Sequence, residues 1–308
     1  MRPFPQSQSS RARQDPLPIL QEPMSRLLAL SDLHINRPTN LAALDTMEEH
    51  PDDELIVAGD VGDGPDDLAK AWTRLCARFK RVFWVPGNHE LWAAPSDPLR
   101  GEARYAAMID VCRSFGVVTP EDPPALYEGE GGPARVVPLF TLYDLTLRPP
   151  EVSLDGVRDW AREAGIRPVD DIRLRTDPHP DIVAWADVLR DRAAARLAAL
   201  PDDLPTVVVT HFPLHPDLIR FSRIERFKPW CGSIHTADWH TRFGISVAVN
   251  GHLHMRATDW VDGTRFEEVA LGYPRHWRAE AGVEHYLRPI LPGPAAPESG
   301  RGGPIWHR

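Results

Sequence analysis

Five short polar clusters are spaced along this sequence, and each follows a run of apolar residues. Asp32-Leu33-His34 comes after 27–30, Gly59-Asp60 after 55–58, and Gly87-Asn88-His89-Glu90 after 82–85. Thr210-His211 follows 207–209, and Gly251-His252-Leu253-His254 follows 246–249. Carboxylate, imidazole and amide oxygen are the donors that first-row transition metals take. If the apolar runs are strands, alternation puts Asp32 and His34 on one side. Every cluster then stands at the carboxyl end of a strand, where α/β proteins gather their ligand sites. A single Asp-x-His arises readily by chance, but a succession of such clusters at one sheet edge would be a costly collection of polar groups unless it did chemistry.

The ordered set Asp-x-His, Gly-Asp, Gly-Asn-His-Glu, a lone His and Gly-His-x-His resembles the calcineurin-like metallophosphoesterases, over roughly residues 28–273. That resemblance implies an α/β fold built as a four-layer α-β-β-α sandwich with two mostly mixed sheets. It also implies a dinuclear centre of two transition-metal ions (manganese, iron or zinc) and attack on phosphorus by a metal-bridging hydroxide. Carried over residue by residue, it makes Asp32, His34 and His254 ligands of one metal, Asn88, His211 and His252 ligands of the other, and Asp60 the bridge. It makes His89 the general acid at the leaving oxygen and Asp63 its orienting carboxylate, with a turn residue before Gly64 as the alternative reading of Asp63. One departure stands out. The family's protein phosphatases follow Gly-Asp with a phosphate-binding Arg, whereas this chain reads Gly59-Asp60-Val61-Gly62-Asp63-Gly64-Pro65.

The elements that must position these residues are legible as a rhythm. Apolar runs at 27–30, 55–58, 82–85, 136–140, 207–209, 246–249 and 266–271 read as strands, several of them Val-rich as buried strands tend to be. Between them, Ile182, Ala186, Leu189, Ala193, Leu197 and Leu200 recur at steps of three and four, one apolar stripe down a helix. Residues 141–180 interrupt the alternation with Pro149-Pro150, Pro168, Pro178 and Pro180 and one modest helical stretch near 157–164. This segment reads either as an insertion that forms a lid or as surface decoration. Residues 1–23, with repeated prolines, read as a disordered or appended tail, 24–291 as the metallophosphoesterase domain, and 292–308, poor in apolar groups, as a flexible C-terminal tail.

The 15-residue stretch from Leu218 to Gly232 mixes Arg220, Arg223 and Arg226 with Phe221, Phe227 and Trp230. It reads either as an amphipathic surface segment or as substrate recognition, the arginines gripping phosphate. Leu91-Trp92 and Trp239 read as wall or core, Tyr273-Pro274-Arg275 as a pocket border, and His215, His235, His240 and His276 as histidines without a motif.

Composition narrows the function class. With 308 residues, 42% apolar, 26% charged and a net charge of −9, the chain is an ordinary globular protein without a basic stripe, which argues against a dedicated nucleic-acid partner. Three scattered cysteines suggest no zinc knuckle or disulfide framework, and no apolar stretch approaches a membrane span. The expectation is a cytoplasmic hydrolase acting on a small phosphomonoester such as a nucleotide or sugar phosphate. A phosphodiesterase, cyclic-nucleotide hydrolysis included, is the alternative on the same centre, and a non-catalytic interaction scaffold is a distant third.

Overall fold

In chain order the strands of the computed structural model are β1 (Leu27–Leu30), β2 (His50–Val57), β3 (Phe79–Trp84), β4 (Ala125–Tyr127), β5 (Ala134–Pro138), β6 (Thr206–Val209), β7 (Ile245–Asn250), β8 (Ala257–Val261), β9 (Thr264–Glu268), β10 (Arg288–Leu291) and β11 (Gly302–Trp306). They form a four-stranded sheet, β10-β1-β2-β3, and a seven-stranded sheet, β11-β8-β9-β7-β6-β5-β4. The structure describes residues 25–221 and 223–307; the expected N-terminal tail, 1–23, lies outside them. The central pairings β1–β2, β2–β3, β5–β6, β6–β7 and β7–β9 are parallel, and the outer ones antiparallel, so both sheets are mixed.

Strand alternation explains how the layers hold together. Leu27, Ala29, Ile56, Ala58, Phe83 and Val85 face inward across the gap between the sheets and meet Val136, Val207, Val209, Val247 and Val249. Their neighbours Leu28, Leu30, Leu55, Val57, Val82 and Trp84 face outward onto the helices α1 (Pro38–Asp45), α2 (Pro65–Leu75) and α3 (Gly101–Ser114), through Leu44, Leu68, Trp72, Leu75, Met108 and Ile109. After α4 (Val157–Glu163) and α5 (Asp170–Arg173), the helices α6 (Ile182–Ala198) and α7 (Trp239–Arg242) cover the far side of the larger sheet, through Ala193, Leu197 and Trp239 packed on Val137, Val208, Ala248 and Phe266. The result is the four-layer α-β-β-α sandwich. At α6 the Asp181 carboxylate accepts the Ala184 N–H at 2.8 Å, which caps the helix whose stripe the sequence displays.

Two sequence expectations need adjustment here. The 292–308 segment is not loose throughout, because β11 pairs antiparallel with β8 and His307 Nε2 meets Thr258 Oγ1 at 2.7 Å. Backbone pairing with a sheet edge supplies the ordering that its sparse apolar side chains do not. Residues 141–180 carry α4 and α5 and pack Val157, Ala161 and Leu174 into the main core, so the segment is an ordered wall of the cleft described below. Among the described residues no helix is long and apolar enough to cross a membrane, and Cys76, Cys112 and Cys231 are free.

Candidate metal centre

The loops after β1, β2, β3, β6 and β7 converge on one point, where most of the donor side chains are buried and His252 and His254 are half-buried. Asp32, His34 and His211 are at most 1% exposed, Asp60 and Asn88 only slightly more. Backbone geometry there is unusual. Among the described residues, eight non-glycine residues have positive φ, and five are Asp32, His34, Asp60, His252 and His254. Such conformations cost on the order of 1–3 kcal/mol each and persist where the surroundings impose them for function. Two glycines make the approach possible: a Cβ on Gly87 would strike the Asp60 carboxylate, and one on Gly251 would strike that of Asp32.

Asp32, His34 and His254 form one group. His254 Nε2 lies 2.9 Å from Asp32 Oδ1, His34 Nε2 lies 3.9 Å from the same oxygen, and the two Nε2 atoms are 3.3 Å apart. Two imidazole lone pairs at that distance repel unless a proton or cation lies between them. Asp60 faces both halves of the site, with Oδ2 4.0 Å from His34 Nε2 and Oδ1 3.5 Å from His211 Nε2.

The second group is arranged by hydrogen bonds behind it. His211 Nδ1 donates to the Ala58 carbonyl at 2.8 Å, which leaves the Nε2 lone pair pointing into the site. Asn88 Nδ2 donates to Asp170 Oδ1 at 2.9 Å, which turns Asn88 Oδ1 inward, 3.3 Å from that Nε2. Both atoms are acceptors, so the pair needs a cation rather than each other. His252 Nε2 and His34 Nδ1 are buried without partners, and the His252 ring lies 5.2 Å from that of His211. Uncompensated acceptors and orphaned imidazole nitrogens fit a donor set for transition metals better than a self-satisfied polar core.

The charges agree. Burial, then Glu90 and Asp32, push Asp60 well above the usual carboxylate range, a state that neighbouring cations would reverse. Burial holds His34 and His252 well below the ordinary imidazole value and His211 at about 4, so all three offer free lone pairs at neutral pH. His254 goes the other way, since Asp32 outweighs its burial.

His89 stands at the rim of this cluster. Its Nδ1 lies 3.1 Å from Asp63 Oδ1, its backbone N–H donates to Asp60 Oδ1 at 3.0 Å, and its ring packs 3.5 Å from that of Trp92. Despite partial burial, the bond to His89 keeps Asp63 below the usual carboxylate range. The other nitrogen, Nε2, faces a cleft of about 390 Å³ whose walls include Trp92, Arg167, Val169, Phe227, Leu253, Tyr273 and Arg275.

The structure thus brings together all nine residues that the motifs singled out for metal binding and acid catalysis. It does not bring the candidate substrate arginines there. Arg220 is held in two bonds by Asp259 at 2.8 and 2.9 Å, Arg226 pairs with Glu163 at 2.9 Å and the Trp160 carbonyl, and exposed Arg223 does not line the cleft. The cations that reach the cleft are Arg167 and Arg275. The sequence marks no role for Glu90, Asp170 or His276, and it marks Tyr273 only as a pocket border. Glu90 accepts the backbone N–H groups of Asp60, Val61 and Gly87 at 2.7–3.1 Å, and burial raises it to about 7. Tyr273 brings its hydroxyl 3.2 Å from His89 Nε2, and His276 Nδ1 lies 2.9 Å from His254 Nδ1. Glu90 was visible inside its motif; Asp170 and His276 sit where no local pattern marks them.

Comparison with known proteins follows the same lines. The family model described as calcineurin-like phosphoesterase matches residues 25–256. The chain is 42% identical over 273 residues to the acyl-carrier-protein phosphodiesterase PptH of Mycobacterium tuberculosis, covering 87% of this chain and 84% of that protein. The crystal structure of phosphopantetheinyl hydrolase (PptH) from the same organism superposes with a TM-score of 0.83 at 41% identity, over 88% of this chain and 97% of that one.

Proposed function

Since the chain belongs to the calcineurin-like phosphoesterases and is a hydrolase of phosphate esters, we propose that its substrate is a phosphodiester joining a phosphopantetheinyl group to a carrier protein. The observation that carries this reading is the 42% identity, spread over 87% of the chain, to a protein named for that reaction. It replaces the small phosphomonoester expected from the motifs with the diester alternative. Two features of the cleft support the change. A diester phosphate carries one negative charge where a monoester carries up to two, and no arginine stands in the motif position that grips phosphate in the protein phosphatases. The walls also offer apolar and aromatic surface, from Trp92, Val169, Phe227 and Leu253, to a second ester substituent.

In this reading Asp32, His34 and His254 would hold one metal and Asn88, His211 and His252 the other, with Asp60 available to both. Nitrogen and oxygen donors suit manganese, iron or zinc. Bound there, the pair would supply Lewis acidity at the phosphoryl oxygens and lower the pKa of water. His89, as an imidazolium whose Nδ1–H donates to Asp63, gives its Nε2 proton to the departing ester oxygen as the oxygen of a water bonds to phosphorus and the P–O bond breaks, and Asp63 holds the ring in the orientation that allows it. Tyr273 hydrogen-bonds the same Nε2 and yields it to the leaving group.

The test is release of the phosphopantetheinyl group from a loaded carrier protein by the metal-reconstituted chain, compared with an aryl phosphodiester and an aryl phosphomonoester. Release from the carrier and turnover of the diester above the monoester are expected. A chain that hydrolyses the monoester best and leaves the carrier loaded overturns the proposal.

A further inference from the structure

The chain as a whole is strongly acidic, at −9, yet the mouth of the catalytic cleft is ringed by arginines. Arg167 and Arg275 line it, and Arg37 and Arg275 lie 5.7 and 5.1 Å from the ring centre of Tyr273. Arg173 lies 5.0 Å from the ring centre of Trp92, the residue that packs on His89. All four are exposed. Among the described residues, Arg37, Arg167 and Arg275 have no carboxylate partner, and Arg173 has only a loose one, Asp63 at 3.9 Å. Asp171 beside them is already paired with Arg158 at 3.0 Å. Within this ring two apolar side chains project outward, Val169 at 47% and Ile172 at 67% exposure. The cleft accounts for Val169, which lines it, but not for Ile172.

Resting on the phosphodiester reading above, we infer that this rim, α5 with Val169 and the four arginines, is the docking surface for the protein part of the substrate. The partner that fits is a carrier protein presenting an acidic surface with an apolar patch beside its phosphodiester. Unpaired cations draw in and orient such a surface, and the exposed isoleucine supplies the apolar contact that holds it. A protein docked there has its ester oxygen carried towards His89, while a small diester reaches the metals without touching Ile172.

The experiment compares the full metal-loaded chain with its Ile172→Glu and Ile172→Leu variants on a loaded carrier protein and on an aryl phosphodiester, at low and moderate salt. For Ile172→Glu, KM for the carrier should rise about tenfold or more while aryl diester turnover stays within about twofold, and Ile172→Leu should behave as wild type. Carrier turnover should fall with salt more steeply than aryl diester turnover, and Arg167→Glu should flatten that dependence. If wild type releases the carrier's group but Ile172→Glu matches it, or loses both substrates equally, the docking surface is wrong and the phosphodiester reading stands. If wild type cleaves the aryl diester and never the carrier, the functional reading fails and the surface with it.

Discussion

At the scale of single residues, the proposed reaction divides the site into groups that would hold charge and groups that would move a proton. Asp60 is the test of the first kind: its two oxygens face His34 and His211, one in each half of the donor set. His89 is the test of the second, since its ring bonds to Asp63 and Tyr273 and only approaches Asp60, at 3.9 Å. Asp60→Asn should therefore lose metal, while His89→Ala should keep it and turn over roughly 10²-fold slower or worse, the contribution typical of a general acid. The His89→Ala loss should shrink on a substrate whose leaving group needs no proton, such as an aryl phosphate. Metal content by elemental analysis and turnover on paired substrates check both, and identical behaviour of the two variants would remove the division of roles.

At the scale of elements, the insertion between β5 and α6 proves to belong to the site. Asp170 at the start of α5 accepts from Asn88 Nδ2 and from Trp92 Nε1 at 2.7 Å, so one carboxylate sets both an amide donor and the wall behind His89. Removing it in Asp170→Ala frees the Asn88 amide to turn its NH2 inward, which should weaken metal affinity or activity by about 10–100-fold. Asp170→Asn keeps an acceptor oxygen and should retain most of both. Metal titration of the three proteins decides, and an Asp170→Ala chain with wild-type affinity would show that Asn88 needs no such support. This coupling also marks the limit of what the sequence disclosed. The motif residues were legible because each follows a buried strand with an apolar signature, and the β-β core and the α6 stripe were legible for the same reason. Asp170 was not, because it lies 82 positions from Asn88, on a four-residue helix that follows a Pro-interrupted segment rather than a buried strand. Strands β8 and β11 escaped notice as well. β8 carries Asp259, whose charge is compensated by Arg220 from a distant loop, and β11 owes its order to pairing rather than to its own side chains. The same Asp259 explains why Arg220, promising as a phosphate grip in sequence, is occupied elsewhere.

At the scale of the whole molecule, the site is a seam. Asp32, His34, Asp60 and Asn88 come from loops of the four-stranded sheet, and His211, His252 and His254 from loops of the seven-stranded one. The sheets share an apolar interface, and at this end the bonds that join them include His252 N–H to Asp32 at 3.0 Å, His254 Nε2 with Asp32 at 2.9 Å, His211 Nδ1 to Ala58, and the backbone bonds of Ser31 and Asp32 to residues 269–272. Against these stand the repulsion between buried Asp32 and Asp60 and the strained backbone at five of the donors. Metals bound across the seam would neutralise the carboxylates and tie the sheets together, so they should stabilise the native chain by mass action. A site held at about a thousandfold above its dissociation constant contributes roughly 4 kcal/mol. For a chain of this size that corresponds to a Tm shift on the order of 10 °C. Chelator-treated protein should thus unfold roughly 10 °C below the reconstituted protein, and elemental analysis of the latter should find two metals per chain. Asp60→Asn, which removes the residue common to both halves, should lose most of the metal-dependent shift, whereas His89→Ala should keep it. A chelated wild-type chain that melts with the loaded one, after its metals are shown to be gone, would mean that the two sheets hold this edge together without them.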